Sequence, residues 1–504
     1  MKIPGTTQRS PLHALILWMA VASFVAGAVV RVFAAQNDLW FDEVWTLQLL
    51  REGAHSFGDV FTNIKHGNNH HLCSLWMWLV GQNASALVYR LPSVLASIGT
   101  IVLAGLIGLR QSRLEGCIAV ILTSWSYLLI HFGTEARGYS LVIFFALLAW
   151  YALQQFEEKR SWLWIIVFWG AVVLGFLAHL EFAICFAGLV AWALWRVVRY
   201  RSIWRQALLD LFALFTVPVV IMLVFYFVSI RGMEIGGGDR YKPAPLLIKT
   251  ASYMLGGPGS GPAAGIIALL TVAALSVAVI SLMVEPDDRW IFYAVVIVGP
   301  LAFAILPEHL YFSWRAPATL QVRFLMISIA ISLLLLVSAY AATLRRGVAG
   351  LAIALGLLGL YVTGNAANTS NLLRFGRGQY LAALLFMETH SNDKRVLITS
   401  ADLGTGMLVN YYKSYLDRPK DLQYVDHATL KEDYARTNGF SLGAEWLILY
   451  TAELTKQPAR VTDDYGNSYQ LVSIYRGSDL SGSNWLLYHN LNRGPMAPQG
   501  PLSR

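Results

Sequence analysis

Long apolar runs separated by short polar links occupy the chain as far as about residue 364. The first run extends from Leu12 to Val30. A helix of about 20 residues crosses the roughly 30 Å hydrocarbon core of a membrane. The further runs lie at 87–109, 116–132, 138–155, 162–179, 182–198, 208–229, 262–284, 290–306, 324–343 and 347–363. The pattern therefore predicts about eleven transmembrane helices.

Basic residues are concentrated in alternate links, whereas the short links at 133–137 and 180–181 contain only Arg137. Lys and Arg are enriched in cytoplasmic loops. The asymmetry predicts a cytoplasmic N-terminus and, with an odd number of spans, an extracytoplasmic C-terminus. The first run is longer than the about 7–15 residues of a signal-peptide core, so we expect an uncleaved anchor. The basic links are 110–115, 156–161, 199–207, 285–289 and 344–347.

Two links on the predicted outer side are long, 31–86 and 231–261. Within the first, Leu72–Val80 is apolar but too short to span, and its tryptophans suit a helix lying at the membrane interface. The second contains "GGPGSGP" and is rich in Gly and Pro. Such a composition is typical of a mobile loop, and we expect it to act as a lid over a site.

The composition changes after about residue 364, where charged residues and Asn become common. A helix is predicted through Tyr411 and Tyr412. Strands are predicted at "KRVLITS" (394–400), "EWLILY" (445–450), "YQLVSIYR" (469–476) and "NWLLYHN" (484–490). We predict two domains, a transmembrane domain over 1–364 and an extracytoplasmic α/β domain over 365–504.

The overall composition agrees with a multi-pass membrane protein. Of the 504 residues, 56% are hydrophobic and 13% are charged, whereas a soluble domain carries about 25% charged residues. The net charge of +8 arises largely from the links and gives no reason to expect a nucleic-acid partner. Cys73, Cys117 and Cys185 are far apart, with no metal-site or disulfide spacing.

Two adjacent carboxylates, Asp42 and Glu43, follow the first predicted span in "LWFDEVW". A charge in hydrocarbon costs about 2.5–3.5 kcal/mol, but the cost falls at the membrane edge, so a solvated pair is one explanation. Trp40, Phe41 and Trp45 bracket the pair, and aromatic rings also stack on sugars. This favours a site in which one carboxylate acts as a base while the other holds a metal or a donor hydroxyl.

Three histidines follow in "KHGNNHH", namely His66, His70 and His71. On a helix, residues four apart lie on one face, but Gly67 and the two asparagines disfavour a helix here. We therefore expect hydrogen bonds to a polar substrate or a lipid phosphate. A metal site that uses Asp42, Glu43 and His66 stays an open alternative.

Further charged residues are predicted at the same outer ends of spans. "HFGTEARGYSL" contains Glu135 and Arg137, for which a structural ion pair is the simple alternative. Arg323 starts a late run, where it can snorkel to the interface. Acids, histidines and arginines on one membrane face suit an anionic lipid head group and a neutral polar acceptor.

Five segments resemble motifs of the GT-C glycosyltransferases, which include protein mannosyltransferase, aminoarabinose transferase and bacterial Rgt-like relatives. "LWFDEVWTLQL" resembles their W-x-D-E-x-x-T, and "NNHHLCSLW" resembles N-N-H-P-L-Y-S-L. "RLPSVLAS" resembles R-L-P-S-x-L-x-G, "TEARGYSL" resembles E-A-R-x-Y-x-L, and "VRFLM" resembles R-Y-L-L. The order and spacing also agree over about the first 340 residues. His71 and Cys73 stand where the family has Pro and Tyr, and Phe324 replaces a Tyr.

The resemblance implies a bacterial inner-membrane enzyme that transfers a hexose or pentose from a polyprenyl-phosphate donor to a glycan, lipid or protein acceptor. It implies inversion by single displacement, with Asp42 as the base and Glu43 orienting it, binding substrate or holding a divalent cation such as Mg or Mn. Contacts to the polyprenyl-phosphate sugar donor or other substrate are expected from His70, His71, Glu135, Arg137, Tyr139 and Arg323.

Two other classes of membrane protein are alternatives. A transporter or flippase of a lipid-linked sugar predicts polar residues near mid-span and broken spans in matching halves. The sequence has few charged residues at mid-span and no such halves, so this class ranks second. A membrane sensor with an outer ligand domain gives no role to the carboxylates of the first loop.

Overall fold

The fold comprises two compact units, and each is described by itself. The membrane unit comprises residues up to Ala35 and Leu49–Ser370, and the C-terminal unit comprises Gln36–Gln48 and Asn371–Arg504. The computed structural model describes residues 11–199, 204–234, 242–284, 287–305, 321–400, 402–416, 420–426, 429–432, 442–451, 454, 457–481, 484–494 and 496.

Helices dominate the membrane unit. Their bounds are α1 Pro11–Ala34, α2 Phe41–Gly53, α3 Asp59–Thr62, α4 His71–Val80, α5 Ala86–Leu109, α6 Arg113–Trp125, α7 Tyr127–Gly133, α8 Tyr139–Lys159, α9 Trp162–Ala178, α10 Phe182–Arg199, α11 Trp204–Phe225, α12 Pro243–Met254, α13 Pro262–Val284, α14 Arg289–Ile305, α15 Met326–Leu344 and α16 Gly347–Phe375. A π-helical turn, Tyr226–Ile230, prolongs α11, and a 3-10 turn, Val322–Leu325, leads into α15. α2 and α16 each continue into the C-terminal unit.

The predicted apolar runs all correspond to helices in the described part of the chain. Eight helical stretches there are long and apolar enough to cross a membrane, and α6 with α7 forms a ninth that is bent by 59°. α9 and the apolar part of α14 are shorter. The protein is thus a multi-pass helical membrane protein, which confirms the predicted fold class.

The break between α6 and α7 leaves backbone groups that other helices satisfy. Arg31 of α1 donates from its guanidinium to the carbonyl oxygens of Thr123 and Ser124, both at 3.0 Å. Asn365 of α16 accepts from the backbone N–H of Tyr127 at 2.8 Å. An unsatisfied backbone group inside a membrane costs several kcal/mol, so a broken span needs such partners.

The two long loops of the membrane unit pair with each other. The backbone N–H of Gly67 donates to the carbonyl of Glu234 at 2.8 Å, and the N–H of Glu234 donates back to Lys65 at 2.9 Å. The second loop was predicted to be irregular, but the helix α12, Pro243–Met254, occupies much of it. Residues 235–241 of that loop lie outside the described residues, and its role as a lid stays a prediction.

The C-terminal unit contains a six-stranded sheet in the order β2-β1-β3-β6-β5-β4. β1 pairs in parallel with β2 and β3, and the remaining pairs are antiparallel. The predicted α/β character is confirmed, although the sequence pattern missed the short strands β2 and β4. The bounds are α17 Tyr380–His390, β1 Arg395–Ser400, α18 Leu403–Tyr412, β2 Asp421–Tyr424, β3 Trp446–Thr451, β4 Arg460–Thr462, β5 Ser468–Tyr475 and β6 Asn484–Asn490.

Candidate functional site

The predicted catalytic carboxylates lie at the first turn of α2, within the part of the first loop that belongs to the C-terminal unit. Glu43 is fully buried. Its Oε2 accepts a hydrogen bond of 3.0 Å from the backbone N–H of Trp40, the residue before the helix. This is the reciprocal half of a capping box, which satisfies an otherwise unpaired donor at a helix N-terminus. Glu43 therefore fixes the entry of the chain into α2.

Asp42 occupies a different environment from its neighbour. Its side chain is 8% exposed, so it is buried but not sealed. A carboxylate in the first turn of a helix is stabilised by the helix dipole. The hydroxyl of Thr46 donates to the carbonyl of Asp42 at 2.9 Å, and the rings of Phe41 and Trp45 lie 5.2 Å apart beside it. Of the two acids, Asp42 is the more exposed.

A second group, made of three predicted residues and one that the sequence did not single out, meets inside the membrane unit. We call it the His70 cluster, and it comprises His70, Arg137, Tyr139 and His179. The ring of His70 lies 5.3 Å from that of Tyr139 and 4.6 Å from that of His179, and the rings of Tyr139 and His179 are 5.2 Å apart. Three chain segments supply these side chains: the start of α4, the link that leads into α8, and the link between α9 and α10.

The loop before α8 approaches so closely that it needs a glycine. A Cβ atom on Gly138 would lie 1.9 Å from the carbonyl oxygen of Ala178 and 2.9 Å from Nδ1 of His70. Neither neighbour has room to accept it. This close approach lets the backbone N–H of Gly138 donate to Nδ1 of His70 at 2.7 Å.

That hydrogen bond determines what His70 presents to Arg137. A neutral imidazole has one acceptor nitrogen and one N–H. Because Nδ1 accepts from Gly138, Nε2 carries the hydrogen, and it lies 3.0 Å from Nη2 of Arg137. Arginine only donates, so two N–H donors face each other. The two nitrogens are in direct contact, so an anionic oxygen would have to bind beside the pair, where it would accept from both.

The opposite edge of Arg137 is held in place. Its Nη1 donates to the backbone oxygen of Asn68 at 3.0 Å and to Oδ1 of the same residue at 2.7 Å. The guanidinium is therefore fixed with one edge on Asn68 and the other towards His70. A fixed donor pair costs little reorganisation when charge develops on a bound anion.

Burial, reinforced by nearby positive charge, keeps the histidines of the cluster neutral. Burial, followed by the charges of Arg137 and Arg323, lowers the pKa of His179 to about 3. Burial is also the main cause that holds the pKa of His70 well below its usual value, with further contributions from the same two arginines. Arg323 itself stacks on the ring of Phe324, which lies 6.2 Å from His179. Both arginines thus act on the same pair of rings.

Glu181 adds an acid beside the cluster. Its Oε1 accepts from the backbone N–H of Ile327 at 3.4 Å, near the start of α15, and its Oε2 lies 3.9 Å from Nδ1 of His179. Among the described residues Oε2 has no hydrogen-bond partner. Burial raises the pKa of Glu181 to about 8, so the carboxyl is neutral at pH 7 and carries a proton that it can donate.

His71 and His66 occupy different surroundings from His70. Nε2 of His71 lies 2.5 Å from the hydroxyl of Ser229, and its ring packs between those of Phe61 and Phe225. Burial lowers the pKa of His71 to about 4. Nδ1 of His66 accepts from the backbone N–H of Asn68 at 3.0 Å. The contacts of His71 hold the first loop against the end of α11, and the bond of His66 stabilises a turn within that loop.

Glu135 lies in the loop between α7 and α8, and its Oε1 is 3.3 Å from Nε2 of His131. Both side chains are buried. At this hairpin the carboxylate of Glu135 therefore contacts a histidine of α7, and the contact is an ion pair only when that histidine is protonated.

No group of three His, Cys, Asp or Glu side chains in the described part of the chain converges as a protein-only metal site requires. The described residues therefore do not fit a site built from protein ligands alone, and we derive no step through a metal.

The sequence pattern did not single out His179 and Glu181. Their signal was the link at 180–181, which topology had placed on the same side as Arg137. Glu181 in this link and His179 at the end of the preceding run are polar groups beside apolar helices, which is costly unless they have a use.

The comparisons with known proteins agree with this architecture. No protein-family model and no curated protein matches the chain. The solved structure of ArnT from Cupriavidus metallidurans in the apo state is similar, with a TM-score of 0.52 and 12% identity over 96% of this chain and 100% of that one. The archaeal oligosaccharyltransferase AglB from Archaeoglobus fulgidus, in complex with an inhibitory peptide and a dolichol-phosphate, has a TM-score of 0.52 and 12% identity over 89% and 70%. At such identity the likeness shows the fold alone: this chain shares its fold with the solved structures of ArnT and AglB.

Proposed function

We propose that the protein is a membrane glycosyltransferase that moves a hexose or pentose from a polyprenyl-phosphate donor to a glycan, lipid or protein acceptor. The observation that carries the proposal is the pair of facing donors, Nε2 of His70 and Nη2 of Arg137, at 3.0 Å. Such a pair suits a phosphate oxygen. The fold supports the same class, because the similar structure of AglB holds a dolichol-phosphate.

The proposed chemistry is a single displacement at the anomeric carbon. The acceptor hydroxyl attacks that carbon and passes its proton to the carboxylate of Asp42, which acts as the general base. The bond between the anomeric carbon and the phosphate oxygen breaks, and the lipid phosphate leaves. Inversion follows, because only one displacement occurs.

The leaving phosphate gains charge as its bond to the sugar breaks. We assign Arg137 and Arg323 to this charge, with His70 as a further donor and Tyr139 as the ring that packs against it. Fixed donors aimed at developing charge are usually the largest single contribution to catalysis. Glu43 positions Asp42 by closing the first turn of α2, and His71 and Glu135 hold the surrounding loops.

The proposed orientation in the membrane is based on the positions of the basic links in the sequence. We place the N-terminus in the cytoplasm of a bacterial cell and the C-terminal unit outside the inner membrane, where a lipid-linked donor and a cell-envelope acceptor meet.

The test uses the purified full-length protein in detergent with a membrane extract as the source of acceptor. A panel of radiolabelled undecaprenyl-phosphate hexoses and pentoses supplies the donor. We expect label to reach the acceptor fraction with the wild type, and to fall by about 10³-fold with Asp42→Asn, since the base is then lost. Detergent removes the bilayer, so a flippase would give no transfer. An Asp42→Asn variant with full activity would falsify the assignment of the base.

A further inference from the structure

The segment that carries Asp42 is attached to the C-terminal unit. Residues 36–48 lie in the loop after α1, yet they pack with the chain beyond Asn371. The sequence assigned them to the transmembrane domain instead. Their hydrogen bonds to that chain are made by Asn37, Asp38 and Leu39, whereas the capping bond joins Trp40 to Glu43.

Three hydrogen bonds from the C-terminal unit hold these preceding residues. Nη1 of the buried Arg377 donates to Oδ1 of Asn37 at 3.2 Å. The hydroxyl of Tyr412 donates to the carbonyl of Leu39 at 2.8 Å. The third bond runs to Asp38, as described next.

Asp38 caps a helix that is distant in sequence. Its Oδ2 accepts from the backbone N–H of Leu381 at 3.1 Å, in the first turn of α17. A carboxylate there satisfies an orphan donor and meets the positive end of the helix dipole. The capping bond thus ties the position of the segment to the start of α17.

The contacts continue into the aromatic core of the C-terminal unit. The ring of Tyr412 packs against that of Tyr380 at 5.7 Å, and Tyr380 packs against Trp485 of β6 at 4.8 Å. On α18, a Cβ atom at Gly404 would lie 2.9 Å from Cε2 of Phe41, so the ring next to Asp42 rests on a glycine. The sheet therefore supports the segment through two helices.

We infer that the C-terminal unit is the positioning element for the base: Tyr412, Asp38 and Arg377 set where Asp42 stands. The inference rests on the proposed function. A general base must lie within hydrogen-bond reach of the proton that it removes, and a misplacement of about 1 Å can cost about 10²-fold in rate. The three bonds hold the residues that immediately precede Phe41 and Asp42, so they determine how α2 begins.

Tyr412→Phe tests this with minimal disturbance, because it removes the hydroxyl and keeps the ring stack. Tyr450→Phe is the matched control, since Tyr450 is exposed and lies on β3. Asp38→Ala removes the cap of α17, whereas Asp38→Asn retains an acceptor oxygen and should rescue it. Each full-length variant is purified in detergent and its elution compared with the wild type.

Two measurements are made on each variant. The first is amide hydrogen exchange of residues 36–48 without any donor. We expect exchange to become about fivefold faster in Tyr412→Phe and Asp38→Ala, because each variant loses one hydrogen bond. Exchange should stay unchanged in the tyrosine control and in Asp38→Asn. The second is transfer from the undecaprenyl-phosphate sugar panel, where kcat should fall about 5- to 100-fold with the donor KM within about twofold.

The outcomes separate the two proposals. Unchanged exchange in Tyr412→Phe and Asp38→Ala would overturn the attachment. Faster exchange with an unchanged kcat would overturn the positioning role. A wild type that transfers no sugar from the panel, with exchange that responds as expected, would sink the proposed function and leave the attachment standing.

Discussion

The backbone N–H of Gly138 donates to Nδ1 of His70 at 2.7 Å, and this bond turns the Nε2–H of the same ring towards Arg137. The two ring nitrogens of His70 therefore have different uses. Nδ1 holds the loop before α8, while Nε2 offers a donor to a ligand.

His70→Asn separates these two uses. The shorter amide still offers an oxygen to Gly138 but carries no donor to the position of Nε2. We expect a thermal midpoint close to that of the wild type. The kcat/KM for the sugar donor should be about 10- to 100-fold lower, because a hydrogen bond to a charged group is lost. His55→Asn changes an exposed histidine and serves as the control. If His70→Asn has the kcat/KM of the wild type, Nε2 does not contact the sugar donor.

Arg137→Lys probes the shape of the cation. Lysine keeps the charge but cannot span Asn68 on one edge and a phosphate on the other, since it lacks the planar fork of arginine. We expect kcat to fall about 10²- to 10³-fold, the loss of one fixed donor to a developing anion. Arg110→Lys, which alters an ion pair with Glu158 outside the cluster, should retain activity. Equal kcat values for the two variants would show that only net charge matters at Arg137.

Much of the helical architecture could be predicted because length and apolarity alone determine which segments span a membrane. The strands β1, β3 and β6 were found for a similar reason, since each contains a buried apolar run. β5 was found from its aromatic and β-branched residues, although most of them are only half-buried. β2 and β4 were missed because "DLQY" and "RVT" are short and mostly polar. Their strand conformation comes from pairing with neighbours rather than from a pattern of their own.

The site was only partly predictable. Topology correctly grouped His70 and Arg137, although 67 positions separate them, because both lie at ends of spans on one predicted side. It could not show that Nδ1 of His70 is already occupied by Gly138. Nor could it show that residues 36–48 pack with the C-terminal unit, because their partners, Arg377 and Tyr412 among them, lie hundreds of positions away.

Substitutions of Glu43 distinguish a cap from a catalyst. Glu43→Gln keeps an oxygen for the N–H of Trp40, so we expect near-normal stability and transfer within about fivefold of the wild type. Glu43→Ala removes the cap and should cost about 1 kcal/mol of stability, which thermal unfolding in detergent can measure. Should Glu43→Gln prove as inactive as Asp42→Asn, the charge of Glu43 would act directly on substrate or on a divalent cation. A chelator titration would then separate those two roles.

The raised pKa of Glu181 predicts an alkaline limit to activity. Burial moves the pKa to about 8, above its ordinary value of about 4.5, so the folded protein holds a proton that the unfolded chain has lost. The contribution of Glu181 to the free energy of unfolding is therefore greatest below pH 4.5 and falls as the pH rises to about 8. Above pH 8 the ionised carboxylate, beside His179, would repel the phosphate of the donor.

The neutral fraction of Glu181 drops from about one half at pH 8 to about one eleventh at pH 9, so the donor KM should rise about fivefold over that interval. Glu181→Gln has the same shape and cannot ionise, and we expect its donor KM to stay flat from pH 7 to pH 9. Its thermal midpoint should also fall less than that of the wild type between pH 5 and pH 8. Initial rates across a series of donor concentrations at each pH measure the first effect, with Glu158→Gln, at an exposed acid, as control. If Glu181→Gln keeps the alkaline rise in KM, another group is responsible and Glu181 does not face the bound phosphate.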